Sequence, residues 1–105
     1  MSVVLAIGCK AIPDAKAHHV GTISFKSSWG YMIQDPAGCD WLKPGCEAAE
    51  VDVPSSARVV WRAGGKASIR DLVPGRRISV WTTGPTQDRL PVIVTARTVV
   101  IEGDR

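Results

Sequence analysis

ARVVWRAGGKASIRDLVPGRRISVWT, residues 57–82, decides how this chain folds. Its first six residues read as a strand, with Arg58, Val60 and Arg62 sharing an outward phase. The loop Ala63-Gly64-Gly65-Lys66 ends that strand. Ser68-Ile69-Arg70-Asp71 then has the S-x-x-D form of a capped helix start, in which each end of the motif satisfies the other's free backbone N–H. Only a turn or so fits before Pro74, so the spacing predicts one short helical turn and no more. The tight turn Leu72–Arg77 leads into Arg77–Thr82, a second strand with Ile78 and Val80 on one face and Ser79 and Trp81 on the other. Strand, short helical turn, strand is a compact signature for an all-β domain.

Outward from this stretch the pattern stays that of short strands and turns. Upstream, Val20–Phe25 alternates, Lys26-Ser27-Ser28 turns, and Trp29–Gln34 returns with Trp29, Tyr31 and Ile33 on one face. Asp35-Pro36-Ala37-Gly38 is a turn that opens a cysteine-bounded insertion, and acidic EAAEVD (residues 47–52) leads to the strand at Ala57. Downstream, GPTQDRLP is a loop and Val92–Glu102 is the last and longest strand. A hairpin, a third strand after an insertion, a helical turn and two more strands predict a small five-stranded OB-like barrel. A six-stranded SH3-like barrel is the nearest competitor. The barrel is expected over residues 19–105, with residues 1–18 as a signal-peptide remnant and tether.

At 105 residues the chain has room for one modest core and not two. A formal net charge of +3 falls well short of the dense basic patches of dedicated nucleic-acid binders. No run approaches the roughly 20 apolar residues of a membrane span.

Three cysteines are an odd number, which asks for one with a separate job. Cys39 and Cys46 bracket the turn-rich CDWLKPGC, whose Pro44 and Gly45 allow the ends to meet. A bridge there would stabilise the fold by about 2.5 kcal/mol in the chain-entropy model. Cys9 is left over at the end of the apolar run VVLAIGC. That run reads either as a first strand with a buried thiol or as the tail of an export signal. Ala6-Ile7-Gly8-Cys9 resembles a bacterial lipobox, in which a small residue precedes a cysteine that is lipidated and becomes the mature N-terminus. It departs from the pattern in having Ala6 where leucine is usual and no Lys or Arg before the apolar run. The following KAIPDAKAHH lacks periodicity and reads as a tether.

The stretch from Ser55 to Glu102 resembles a bacterial family of small exported OB-like lipoproteins of unknown function. The shared features are a GTI-type first strand, a strand ending at a GG turn, the DLVPG turn, a VW strand and a closing strand rich in Val and Ile. The resemblance spans residues 19 to 102 and implies export, lipidation at Cys9 and a membrane-anchored OB module in the cell envelope. Relatives would carry serine and tyrosine before the last strand, where this chain has Asp88-Arg89-Leu90-Pro91. These are turn and core motifs, so they imply a fold rather than an activity.

The hairpin GTISFKSSWGYMIQ also resembles the first hairpin of cold-shock domains, which stack single-stranded bases on surface aromatics. Trp29, Tyr31 and Phe25 could form such a platform. Only Lys26 is a nearby cation, however, and the next segment is acidic, so filling the barrel is the expected role of these rings. Trp81 is out of phase with the core and should face outward, as a contact residue or under the insertion or tether. Arg58 and Arg62, together with Arg76 and Arg77, form either a basic patch or solvated edge charges. His18, His19 and the cysteines lack zinc-ligand spacing, so no metal or other cofactor is expected. No serine has a G-x-S-x-G setting and no triad is spaced for catalysis. The reading is a non-enzymatic, lipid-anchored envelope module that binds an envelope protein or small ligand. The alternatives are a cytoplasmic OB domain that binds single-stranded nucleic acid, and an envelope enzyme whose site carries no motif.

Overall fold

The structure is a computed structural model that describes residues 12–87 and 91–103. Six strands follow one another as β1 (His19–Lys26), β2 (Tyr31–Asp35), β3 (Glu47–Asp52), β4 (Arg58–Trp61), β5 (Arg77–Gln87) and β6 (Val92–Ile101). One 3-10 turn, Ile69–Asp71, lies between β4 and β5.

Five of the strands close into a barrel. β1 pairs with β2, β2 with β3, β1 with β5 and β5 with β6, all antiparallel, and a parallel β3–β6 contact shuts the ring. The meander of three strands, the parallel closure and the β1–β5 pair make the OB-like barrel read from the sequence. β4 is the extra strand. It runs parallel to β6 over Arg58–Trp61, beyond the four β6 residues that β3 occupies. Thus β3 and β4 share one edge of β6 in succession, separated by the Val53–Ala57 break with its Pro54.

The sequence reading placed the third barrel strand at Ala57–Arg62, and that is corrected here. EAAEVD is the barrel strand, with Ala49 and Val51 inside and Glu50 and Asp52 on the outer side. Small alanine and flanking acids conceal its period of two. A second correction concerns Phe25, expected on the face of Ile23. A β-bulge lets Ile23 pair with Ile33 and Phe25 with Met32, so one extra residue turns Phe25 to the outside. Trp29, read as the start of a strand, instead sits in the turn closed by Ser27 and Gly30, whose backbones bond at 2.7 Å and 3.3 Å. Gly30 has a φ of 151°, and a Cβ there would lie 2.1 Å from the Val51 carbonyl oxygen, so only glycine fits.

The core is built from Ile23, Tyr31, Ile33, Val51, Ile78, Val80, Val94, Val99 and Ile101, with β4 adding Val59 and Trp61. Arg76 covers the Trp61 ring at 4.8 Å. The predicted helix cap is present: Ser68 Oγ accepts the Arg70 N–H at 3.2 Å, and Asp71 Oδ2 accepts the Ser68 N–H at 2.9 Å. This cap fixes a turn whose own three residues contribute no buried side chain. Its value is to deliver Leu72, 4% exposed, into the core cluster. The chain then returns at once to β1, where Gly75 N–H and the Arg76 carbonyl bond to the two backbone groups of Ile23, each at 2.8 Å.

Leu72→Ala should therefore cost about 2–5 kcal/mol in urea unfolding, as for a large-to-small change in a packed core. Ile69→Ala, three residues away and 52% exposed, should change stability by less than about 0.5 kcal/mol.

Candidate functional site

Cys39 and Cys46 form a disulfide with Cα atoms 5.7 Å apart. The loop it closes is tied to the barrel by Gln34, whose side-chain amide donates to the Cys39 carbonyl while its carbonyl accepts the Ser24 hydroxyl. Inside the loop Asp40 accepts from the Leu42 and Lys43 backbones, each at 3.0 Å. The loop borders an open cleft of about 620 Å³ at the end of the barrel where β1 begins and β2 ends. Asp35 and Glu47 stand directly opposite each other across β2 and β3 there. His19 and the half-buried Trp41 also line the cleft, and Lys16 and His18 border it from the N-terminal segment. Burial pushes the His19 imidazole below its ordinary value, neighbouring His18 adds to that, and the Glu47 carboxylate opposes it. The cleft thus offers carboxylates, imidazole and an indole to a small polar ligand. Among the described residues no three His, Cys, Asp or Glu side chains are placed to hold a metal ion.

The aromatic hairpin divides. Trp29 is 59% exposed and Phe25 44%, whereas Tyr31 is buried in the core with Lys26 over its ring at 5.8 Å. Tyr31 takes the barrel-filling role expected of these rings, because β2 alternation points it inward beside Ile33, whereas Phe25 and Trp29 do not. What the outer face of β1–β2–β3 does carry is a lateral row, Phe25, Met32, Glu50 and Ile93, in register across four strands. Phe25 is exposed at its β1 end, Trp29 is exposed in the adjoining β1–β2 turn, and Asp52 lies on the same strand face as Glu50. The carboxylate in this row is covered: Glu50 is 8% exposed and accepts from the Ser27 hydroxyl at 3.5 Å.

Trp81 faces outward, as its phase requires, yet it is only 3% exposed. The N-terminal segment covers it. Ile12 and Ala17 pack against Trp81, Val60 and Val100, and the indole N–H donates to the Ala15 carbonyl at 2.8 Å. His18 extends the fastening: its backbone N–H bonds the Val80 carbonyl at 2.9 Å, and its Nδ1 accepts the Thr82 N–H at 2.8 Å. Residues 12–18 form a strap on the outer sheet face, and Trp81 is its anchor rather than a free contact residue.

The arginines also divide. Arg62 makes a two-pronged bond to Glu102, at 3.0 Å from Nε and 2.8 Å from its terminal nitrogen. Ser79 donates to the same carboxylate at 2.6 Å. The Arg62 guanidinium holds the Glu102 carboxyl below its ordinary range against the opposing effect of burial, with Ser79 and Arg77 helping. Arg58 is exposed beside Thr98 and makes no ion pair among the described residues. Arg62 and Glu102 are far apart in sequence, and no local motif announces their pairing. Cys9 and Asp88–Leu90 lie outside the described residues. A scan against protein-family models, a search of curated proteins and a search of solved structures each returned no match.

Both perturbed groups bind protons more readily in the unfolded chain, so acid weakens the fold twice. A lowered imidazole value means stability is lost as pH falls below 6.5 through the folded value of His19. A lowered carboxyl value means a second loss as pH falls below 4.5 through that of Glu102. Urea unfolding against pH should show both declines, with His19→Gln flattening the upper one and Glu102→Gln the lower. For the exposed Arg62–Glu102 pair the effect should be about 1 kcal/mol or less.

Proposed function

We propose that this protein is an exported, non-enzymatic OB-type binding module, lipid-anchored through Cys9 in a bacterial cell envelope. The observation that carries the reading is the Cys39–Cys46 disulfide, because such a bond persists in an oxidising compartment and is reduced in the cytoplasm. It accounts for two of three cysteines and leaves Cys9, at the end of the opening apolar run, for the anchor. The strap adds support, since residues 12–17 meet the barrel on its outside.

The partner is met on the outer face of β1–β2–β3 or in the adjoining cleft. Exposed Trp29 and Phe25 offer ring faces, while Asp52, Asp35 and Glu47 make these surfaces acidic. Such surfaces suit a neutral or cationic envelope protein or small polar ligand and repel a polyanion. The exposed pair Phe25 and Trp29 is also the one feature favouring the cytoplasmic reading, in which the hairpin stacks single-stranded bases.

Fractionation and thiol labelling of cells expressing the full chain separate these readings. Two thiols should resist labelling until reductant is added, and the protein should partition with membranes. Cys9→Ser should move it to the soluble fraction with its melting temperature unchanged. Cys39→Ser should leave anchoring intact and destabilise the barrel by about 2.5 kcal/mol. Reduced Cys39 and Cys46 in cells, with submicromolar single-strand binding at physiological salt abolished by Trp29→Ala, would instead establish the nucleic-acid reading.

A further inference from the structure

The outer face of β4–β6–β5, which carries the strap, has a composition opposite to that of β1–β2–β3. Arg58 stands in the row of Thr98 and Trp81, and Lys66 pairs with Val60 on that strand's other edge. Arg97 is the bulged residue between Ala96 and Thr98 and is exposed on the outside of the barrel. Lys16 is exposed on the strap itself. Arg58, Lys66 and Arg97 are without an ion pair among the described residues, and the carboxylate facing this side from β6, Glu102, is engaged by Arg62 and Ser79. Among the described residues, Asp14 is exposed on the strap, and Asp52, opposite Thr95, stands two residues from Arg97 along β6. The acids Asp35, Asp40, Glu47, Glu50 and Asp52 all belong to β2, β3 and the disulfide loop. In a ring ordered β1-β2-β3-β6-β5, β2 lies across the barrel from β5 and β6, while β3 adjoins β6 on the edge that β4 continues.

We infer that the face of Arg58, Lys66 and Arg97 is a docking surface for an anionic phospholipid bilayer. The inference rests on the anchored reading for its biological setting. Three observations favour lipid over another polyanion. The cations surround the docked strap, and only two residues separate Cys9 from Ile12, a reach of about 11 Å at full extension. A lipidated Cys9 would therefore bring this face against the headgroups. The face also lacks an exposed ring for base stacking, because Trp81 is buried while Phe25 and Trp29 lie elsewhere. Lastly, its charges are spread over β4, β6 and the β4–β5 connection rather than set in a groove, which matches a planar surface potential.

The test uses the full chain carrying Cys9→Ser, which cannot be acylated, and vesicles of phosphatidylglycerol and phosphatidylcholine mixed about 3:7 or of phosphatidylcholine alone. Co-sedimentation with the anionic vesicles is expected at low salt, with loss at high salt and none with neutral vesicles. Each cation near an anionic surface is worth about a fivefold change in partitioning, so removing three should weaken it roughly a hundredfold. Arg58→Gln, Lys66→Gln and Arg97→Gln together should show that loss with an unchanged melting temperature, and each single variant a smaller loss. Lys43→Gln, on the disulfide loop, should bind as the parent does. Equal sedimentation with both vesicle types would mean that apolar insertion drives binding, and would overturn the inference. So would absence of binding at low salt, full binding by the triple variant, or preferential capture of a single-stranded oligonucleotide that the triple variant loses. None of these outcomes bears on acylation of Cys9, which fractionation of the Cys9→Ser chain reports separately.

Discussion

The parallel contact between β3 and β6 holds the whole architecture together. Without it the chain is an open sheet with two long edges, each a row of unpaired backbone groups ready to pair with another molecule. With it, Ala49–Asp52 meets Val92–Thr95 and the ring closes. Closure is demanding because β3 has only six residues and offers Ala49 and Val51 to the interior. The small alanine lets β6 approach, and Val51, fully buried, supplies the contact. The Val51 backbone in turn needs Gly30 beneath it, so the hairpin turn of β1 and β2 is sized by the strand that closes the barrel. β4 completes the arrangement by occupying the rest of the same β6 edge, which leaves that long strand covered on both sides.

Much of this was legible in the chain because strand alternation and capping are local. The Ser68–Asp71 cap, the phase of Ile78 and Val80, the long last strand and the paired cysteines all follow from neighbours within a few residues. What escaped depends on contacts between distant segments. EAAEVD reads as an acidic link because its inward residues are small and its acids sit at the margins; only pairing with both β2 and β6 makes it a strand. The bulge that turns Phe25 outward is set by the turn at Gly75–Arg76, about fifty residues on, which captures both backbone groups of Ile23. Trp81 was placed on the correct face, but its burial depends on residues 12–17, whose own sequence carries no periodicity. The site divided in the same way. Tyr31 fills the barrel as expected while Trp29 does not, Arg58 is exposed, and Arg62 is committed to a glutamate forty residues distant.

The two faces of the barrel illustrate how a small domain with little net charge can still be strongly polar. Acids gather on β2, β3 and the disulfide loop, and arginines and lysines on β4, β5 and the connection between them. The net charge of +3 conceals this, because the two populations nearly cancel. A barrel closed by consecutive and returning strands converts that segregation along the chain into segregation in space. Electrostatic complementarity of this kind governs orientation and encounter more than affinity. One surface then suits a partner that the other would repel.

The strap binds these properties to the N-terminus. It is held by an apolar contact beneath Ile12 and Ala17, by the Trp81 indole N–H on Ala15, and by His18 on β5. Each is modest, since a single hydrogen bond contributes about 1 kcal/mol net. Together they remove the freedom that a tether of this composition would otherwise have. A free tether leaves a domain able to present any side to a surface. A strap fastened along one sheet face does not, and the physical consequence is that chain direction itself sets which face of the barrel is near to whatever holds the N-terminus. Trp81 is therefore less a free contact residue than the fastening that fixes residues 12–17 along one face of the sheet.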